Sequence, residues 1–539
     1  MRGLLGKCLT GMVGTLLAAG AAWGADEVKL GPPGAPVAPA VAHITYSGNT
    51  VFRNSSLDEI ALPLLTNRLA DLQALEKVRV AITRKYVDAG YINSGAVIPS
   101  QDIGGGDLRI DVVEGMLSGV KVSGNKWTKD HIIANRVARG ADLPLNVNRL
   151  RENLELLRMN YPIAQANSRL DPGDKPGTAT LDLKVVESPV LRSGLRFRND
   201  LPPSSGANQV DFLLQSPNLL GYFDDFDFDF GLYRFGQGES RFLEGDNFSL
   251  SYRIPISAGD TKVGGFYRRS TASVQEEPFN VLGIRSDTEA YGLTLDHPFI
   301  NSLTRQFGMG LTFEHRISRT FLFGQPFSFS PGPINGESTV TAVRWATYFT
   351  DRGDRHVFSA RLTTSVGVDL WDATRQSGGE RDGRFVSVLG QMQYLRRLFD
   401  TRSVVVARLT GQWASEGLLP NEQFAVGGAN TVRGYRENTL VRDTGIASTL
   451  EVRIPVFAEP KRREWLTLAP FFEVGAGWNL RGGTPSPTEI SSIGIGLHST
   501  PFKGLSASLS WGYALQDVSK NSGDLQDAGL HFNLTWWAF

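Results

Sequence analysis

From about Val190 to the C-terminus, apolar and polar residues alternate along the chain in short segments, the two-residue period of a half-buried β-strand. Sixteen such segments start near Leu191, Gln209, Asp224, Asn247, Thr261, Asp287, Arg305, Ser338, Arg355, Gly383, Arg402, Ala447, Trp465, Ser491, Leu505 and Ala528. Their connections alternate in length. The fourth and fifth segments turn at Ser257–Asp260, the eighth and ninth at Asp351–Asp354, and the fourteenth and fifteenth at Thr500–Gly504. Long polar loops rich in Gly and Pro join the fifth to the sixth, the seventh to the eighth and the eleventh to the twelfth. Short turns on one side, long loops on the other and an even strand count predict a transmembrane barrel with 190–539 closed into sixteen antiparallel strands. In Leu450–Val456 one face reads Leu, Val, Ile, Val and the other Glu451, Arg453, Pro455. The first face suits lipid, and the second suits a lumen in which Glu451 and Arg453 pair.

The N-terminal third follows a different period. Ile44-Thr45-Tyr46-Ser47-Gly48-Asn49 recurs, loosely, as Val120-Lys121-Val122-Ser123-Gly124-Asn125. Each copy opens as a strand ending in a Gly-Asn turn. Helical spacing follows, over Leu72–Ala89 in the first copy and over Lys129–Ala138 and Val147–Met159 in the second. Ser56-Leu57-Asp58-Glu59 has capping-box spacing, so a helix is expected to begin there. Strands at Asp107–Glu114 and Thr180–Glu187 close the copies, giving two small α+β modules at 41–115 and 116–189.

Composition fixes the compartment and removes several functions. Arg2 and Lys7 precede the apolar Cys8–Ala22, and Ala22-Trp23-Gly24 carries small residues where a signal peptidase reads. Residues 1–24 are therefore expected to be a secretory signal peptide, which takes the single cysteine with it. A leader rich in Pro, Gly and Ala spans 25–40. The 55 basic residues balance the 55 acidic ones, which argues against a nucleic-acid partner. Beyond the N-terminus no apolar run reaches the ~18 residues of a membrane helix. The seven histidines form no short-spaced metal pair, and no HExxH, GxSxG or nucleotide-binding loop occurs, so neither a metal, a cofactor nor an enzymatic activity is expected.

The connection after the eleventh segment, 415–446, is far longer than a hairpin needs. It carries Val432-Arg433-Gly434-Tyr435 near its middle. A guanidinium brought into a confined lumen needs an anion. Alternation in Pro470–Gly475 turns Phe472 and Val474 to lipid and Phe471, Glu473 and Gly475 to the lumen, making Glu473 the expected partner of Arg433.

These residues carry a family resemblance. The tetrad Val432–Tyr435, the strand Phe471-Phe472-Glu473-Val474-Gly475 and the first module's wording (ITYSGNTVF, DLQAL, ITRKYVDAGY, VVEG) resemble two-partner secretion transporters (TpsB) of the haemolysin secretion/activation type. That family lies within the BamA-related superfamily. Its strand motif has Asp where this chain has Glu473. The resemblance implies that the modules are polypeptide-transport-associated (POTRA) domains, periplasmic, with a barrel in the cell outer membrane. It also implies a turn and substrate-docking role for Gly48, Asn49, Glu114, Gly115, Gly124 and Asn125, and a C-terminal assembly signal in Trp537 and Phe539.

The implied partners are an unfolded secreted exoprotein, outer-membrane lipid, and the barrel-assembly machinery and periplasmic chaperones during biogenesis. The implied function is a pore exporting a large exoprotein of haemolysin or adhesin type. Many relatives carry a plug helix before the first module, and the Pro-rich leader predicts none here. An insertase of the same superfamily and a passive porin remain as alternatives.

Overall fold

A computed structural model describes residues 40–65, 70–141, 143–233, 246–277, 279–376, 381–399, 401–456, 465–518 and 523–538. The expected signal peptide, residues 25–39 of the leader, the plug-helix question and Phe539 fall outside the described residues. The chain divides into two compact units, meeting between Glu187 and Ser188.

The first unit holds the repeat. Its first module runs β1 (His43–Ser47), α1 (Asn54–Ala61), α2 (Leu72–Asp88), β2 (Gly95–Val97) and β3 (Asp107–Val113). The second runs β4 (Met116–Ser123), α3 (Asp130–Arg139), α4 (Val147–Asn160), β5 (Ile163–Pro172) and β6 (Thr178–Glu187). In both, the last strand is the middle one: the orders are β1-β3-β2 and β4-β6-β5, with the first strand parallel to the centre. The period-3.6 faces of the helices bury Leu57, Leu75, Val78, Ile82 and Tyr86 against Leu108 and Ile110 in the first module. The capping-box expectation fails in detail. Helix α1 starts at Asn54, and no side chain caps it. Ser56 lies inside the helix, where its Oγ accepts the Lys85 ammonium at 2.8 Å. A cap is instead found on α2, whose Asp71 carboxylate accepts the Ala74 N–H at 2.6 Å.

The second unit is a closed barrel of sixteen antiparallel strands: Arg192–Arg198, Gln209–Ser216, Asp225–Leu232, Asp246–Pro255, Lys262–Ser273, Arg285–Asn301, Arg305–Leu322, Glu337–Arg352, His356–Val368, Val386–Arg397, Val404–Ala414, Thr444–Pro455, Leu466–Trp478, Glu489–Ser499, Leu505–Ala514 and Leu530–Trp537. None starts more than three residues from its expected position. The barrel closes where Asn533–Trp537 pairs with Gly194–Arg198. A two-residue strand, Gln325–Pro326, turns back to pair with the end of the seventh strand and lies outside the sixteen.

The odd-numbered connections run from ten residues to the long loop 415–443, and the even-numbered ones from the three-residue turns 302–304 and 353–355 to ten residues. Alternation sorts the side chains. Leu450, Ile454, Phe472, Val474, Ile493, Ile495, Leu509, Trp511 and Trp536 point outward and exposed, while Glu451, Phe471 and Glu473 are buried inside. An apolar band of this extent on the outside, over a charged interior, inverts a water-soluble protein and matches a barrel standing in lipid. At the C-terminus Trp536 follows the outward face, whereas Trp537 turns inward beneath the Arg192 guanidinium, 4.9 Å from the ring centroid.

Candidate functional site: a loop seated inside the barrel

The connection between the eleventh and twelfth strands folds back into the lumen. Phe424–Val426 and Leu440–Arg442 pair as an antiparallel ribbon, and Val432–Tyr435 lies at its inner end. Three glycines shape the tip: Gly427, Gly428 and Gly434 have φ of +110°, +95° and +99°, a region other residues resist. Val426, Val432, Tyr435 and Leu440 form a small core with Phe424, Ala447 and Ile490. The loop thus brings its own apolar anchor to the wall.

Arg433 is 6 % exposed and meets two carboxylates. Glu473 Oε1 accepts its Nε at 3.0 Å and its Nη2 at 2.7 Å, while Glu473 Oε2 accepts the Arg433 backbone N–H at 2.6 Å. Nη2 also donates to Glu451 Oε2 at 2.9 Å. The guanidinium carbon sits 3.5 Å from the centroid of the Phe471 ring, a cation–π contact that sequence alternation alone did not suggest. Thr449 donates to Glu473 at 3.2 Å and Arg453 to Glu451 at 2.8 Å, so both carboxylates are multiply bonded. The arm of Glu473 lets one carboxylate hold both side chain and backbone of Arg433. Gly475 faces the loop as well: a Cβ there would press on Val426 and lie 3.1 Å from Val432.

The neighbours of Arg433 lock the tip further. The Tyr435 hydroxyl donates to the Ser491 carbonyl (2.9 Å) and accepts the Gln516 N–H (3.0 Å). Arg436 reaches Asp527 (2.6 and 2.7 Å) and Glu276 (2.9 Å), on two further long connections. At the base of the loop lies a second buried centre. Fully buried Asp443 accepts Arg381 Nη1 (2.7 Å), the Gln423 side chain (2.8 Å), and the N–H groups of Leu480 (2.9 Å) and Leu418 (3.1 Å). It ties three long connections together. Arg381, sixty-two residues upstream, gave no sequence signal of this role.

The residues singled out in the first unit are used by the fold itself. Glu114 accepts the N–H groups of Thr50 (2.7 Å) and Val51 (2.9 Å) and the Tyr86 hydroxyl (2.9 Å). In the second copy, Glu187 accepts the N–H groups of Lys126 (2.7 Å), Trp127 (2.9 Å) and Thr128 (2.8 Å). Gly48 and Gly124 have φ of +82° and +84°, and their bare Cα faces the Val112 and Val185 carbonyls. Asn49 and Asn125 bind the Phe52 (2.9 Å) and Thr128 (2.8 Å) carbonyls across their turns. Gly115 lies where the first module passes into the second, its N–H bound by Ser94 Oγ (2.9 Å). Burial alone would raise the Glu187 pKa, but these hydrogen bonds outweigh it and hold the carboxyl below its ordinary value.

Comparison with known proteins gives this arrangement a family. Residues 177–499 match the model for the haemolysin secretion/activation protein ShlB/FhaC/HecB, and residues 40–115 match the ShlB-type POTRA domain. The chain is 24 % identical to the outer membrane transporter CdiB of Dickeya dadantii (strain 3937) over 69 % of its own length and 64 % of that protein's, just under two thirds. To CdiB of Escherichia coli O6:K15:H31 (strain 536 / UPEC) it is 22 % identical, over 78 % of this chain and 70 % of that one. The solved structure of CdiB from Escherichia coli shares the fold, with a TM-score of 0.69 at 20 % identity, covering 94 % of this chain and 92 % of the other. With the family model spanning well over half of its length, the chain belongs to the haemolysin secretion/activation family ShlB/FhaC/HecB, whose place is the outer membrane with periplasmic POTRA domains.

Proposed function

We propose that this protein is an outer-membrane translocation pore that recognises one large partner exoprotein in the periplasm and exports it to the cell surface. The observation that carries the reading is the loop 415–443, folded into a sixteen-strand lumen and held there through Arg433. A passive porin has no use for the tandem N-terminal modules. In those modules the sheets end at β1 and β2, and at β4 and β5. Such edges offer backbone N–H and C=O groups to an extended segment, giving affinity that tolerates many sequences. The ten residues of β5 make it the longest edge.

Within this reading, domains 41–115 and 116–189 receive the unfolded partner and the barrel, 190–539, conducts it. The lumen wall suits a solvated chain: a cavity of about 510 Å³ is lined by Arg196, Asp227, Asp229, Ser249, Asn533 and Thr535 among others. Arg433, Glu473 and Glu451 act as the latch that sets whether the loop is seated. Gly48, Asn49, Glu114, Gly124 and Asn125 serve docking indirectly, by holding the turns that frame the edges. Energy comes from the partner folding outside, and no catalytic step is assigned to any residue. Outer-membrane lipid surrounds the barrel, and the assembly machinery and chaperones act on it during biogenesis, with the last strand through Trp537 and Phe539 as the recognised signal.

Deleting the gene and fractionating the cells tests the reading. Loss of a single large surface or secreted protein is the expected outcome. Broad loss of outer-membrane barrels would instead establish an insertase, and loss of solute uptake alone a porin.

A further inference from the structure

We infer that Gly512, with Gly494 beside it, is a positioning residue for the lumenal loop: it forms a bare seat on the inner wall whose depth lets Arg433 reach Glu473. This rests on the reading of the loop as the element that governs export.

Phe471, Gly494 and Gly512 are register partners on the thirteenth, fourteenth and fifteenth strands, and the Gly512 N–H donates to the Gly529 carbonyl at 2.9 Å, just before the sixteenth. The row therefore crosses three adjacent strands and ends just before the fourth, on lumen-facing positions between the outward Ile493, Ile495, Trp511 and Tyr513. Beyond Phe471 every member is glycine. A Cβ at Gly512 would lie 2.6 Å from the Arg433 carbonyl and the Gly434 nitrogen, and a Cβ at Gly434 would lie 2.9 Å from the Gly512 carbonyl. At Gly494 a Cβ would drive into the edge of the Phe471 ring that carries the guanidinium. One at Gly529 would meet the Gly512 carbonyl and lie 3.4 Å from Gly434 Cα.

Backbone conformation does not explain the first two glycines. Gly434 and Gly529 have positive φ, but Gly494 and Gly512 do not and sit in regular ladders. Glycine weakens a strand interior, and its place there is where another backbone comes close. At Gly494 that backbone is the Trp511 carbonyl of the neighbouring strand, and at Gly512 it is the Arg433–Gly434 peptide. Its closeness has a consequence for the ion pair, because the Arg433 N–H reaches Glu473 Oε2 at 2.6 Å only while the peptide lies flat on the wall. A side chain at Gly512 lifts the peptide, separates Arg433 from its carboxylates and frees the tip. None of this is contained in the Val432–Tyr435 or Phe471–Gly475 motifs.

The test uses the full chain carrying Leu440→Cys as reporter, since Leu440, on the loop's own ribbon, is fully buried while the loop is seated. Whole cells are treated with a membrane-impermeant maleimide, and export and heat-modifiability of the barrel are measured alongside. Gly512→Val is expected to raise labelling about fivefold or more and to cut export about tenfold, while the barrel stays heat-modifiable, because added bulk in a filled site forces displacement. Ser508→Val, on the same strand but lining an open cavity, is expected to change neither. Unchanged labelling in Gly512→Val would overturn the seat. Raised labelling with undiminished export would leave the seat standing and overturn the role of the loop. Should Gly512→Val fail to assemble, Gly512→Ala decides: a smaller rise in labelling supports the seat, and none overturns it.

Discussion

Two carboxylates in this molecule do similar work in different settings. Glu187, in the second periplasmic module, gathers three consecutive backbone N–H groups from the turn 124–128 that begins the same module. Glu473, inside the barrel, takes one backbone N–H and two guanidinium bonds from a loop 40 residues away in sequence. The first belongs to a module of some seventy residues, so losing it loosens the fold. The second joins a loop to a barrel whose sixteen-strand ladder closes without it, so losing it changes a state rather than the fold. A carboxylate clamp sets structure or function according to what would stand if it were removed.

Arg433→Ala presses hardest on that distinction. It leaves Glu451 and Glu473 buried without their shared cation, and breaking a buried pair in this way costs roughly 3–5 kcal/mol. Export should fall by at least about a hundredfold, a loss that ~3 kcal/mol suffices to produce, with barrel quantity and heat-modifiability unchanged. A barrel that no longer assembled would show the two clamps to be of one kind.

Asp443→Ala comes next. It strips Arg381 of its anion and orphans the Leu418 and Leu480 amides, a loss of about 3 kcal/mol confined to the long connections. Protease added to intact cells should then cut these connections several-fold faster, while the ladder stays resistant. Equal protection would mean that the base of the loop is held elsewhere.

The smallest effect belongs to Glu187→Gln, expected to cost about 1–3 kcal/mol in the first unit and nothing in the barrel. Its sign with pH is fixed. A carboxyl held below its ordinary value in the folded state stabilises fully above the unfolded value of about 4.3, and that contribution is lost as pH falls through the folded value. Urea unfolding of the first unit's tryptophan signal at pH 7 and pH 3 should therefore differ less in Glu187→Gln than in the wild type. An identical difference would remove Glu187 from the clamp.

Much of this was legible in the chain. Alternation located all sixteen strands, and the same parity placed Phe471, Glu473 and Gly475 inside with Phe472 and Val474 outside. Pairing Arg433 with Glu473 needed only that parity and the cost of an unpaired guanidinium. Parity alone turns Glu451 to the lumen beside Arg453, but its bond to Arg433 depends on register: Thr449 lies opposite Glu473, which sets Glu451 one diagonal step away. Ser56 misled because a capping box is a local pattern, and Lys85 on the next helix competes for its hydroxyl. Arg381 was silent because its partner is sixty-two residues along the chain and on another connection.

What the sequence determined alone is what short-range physics governs: the two-residue period, the turns that punctuate it, the face each side chain takes and the repeat of a Gly-Asn turn. Only the tertiary structure decided which strands stand side by side, where the loop lands, and that Gly512 is bare because the loop's backbone fills the space. Register and loop docking are settled by contacts between residues tens to hundreds of positions apart. A periodicity carries no record of them, because it repeats identically on every strand.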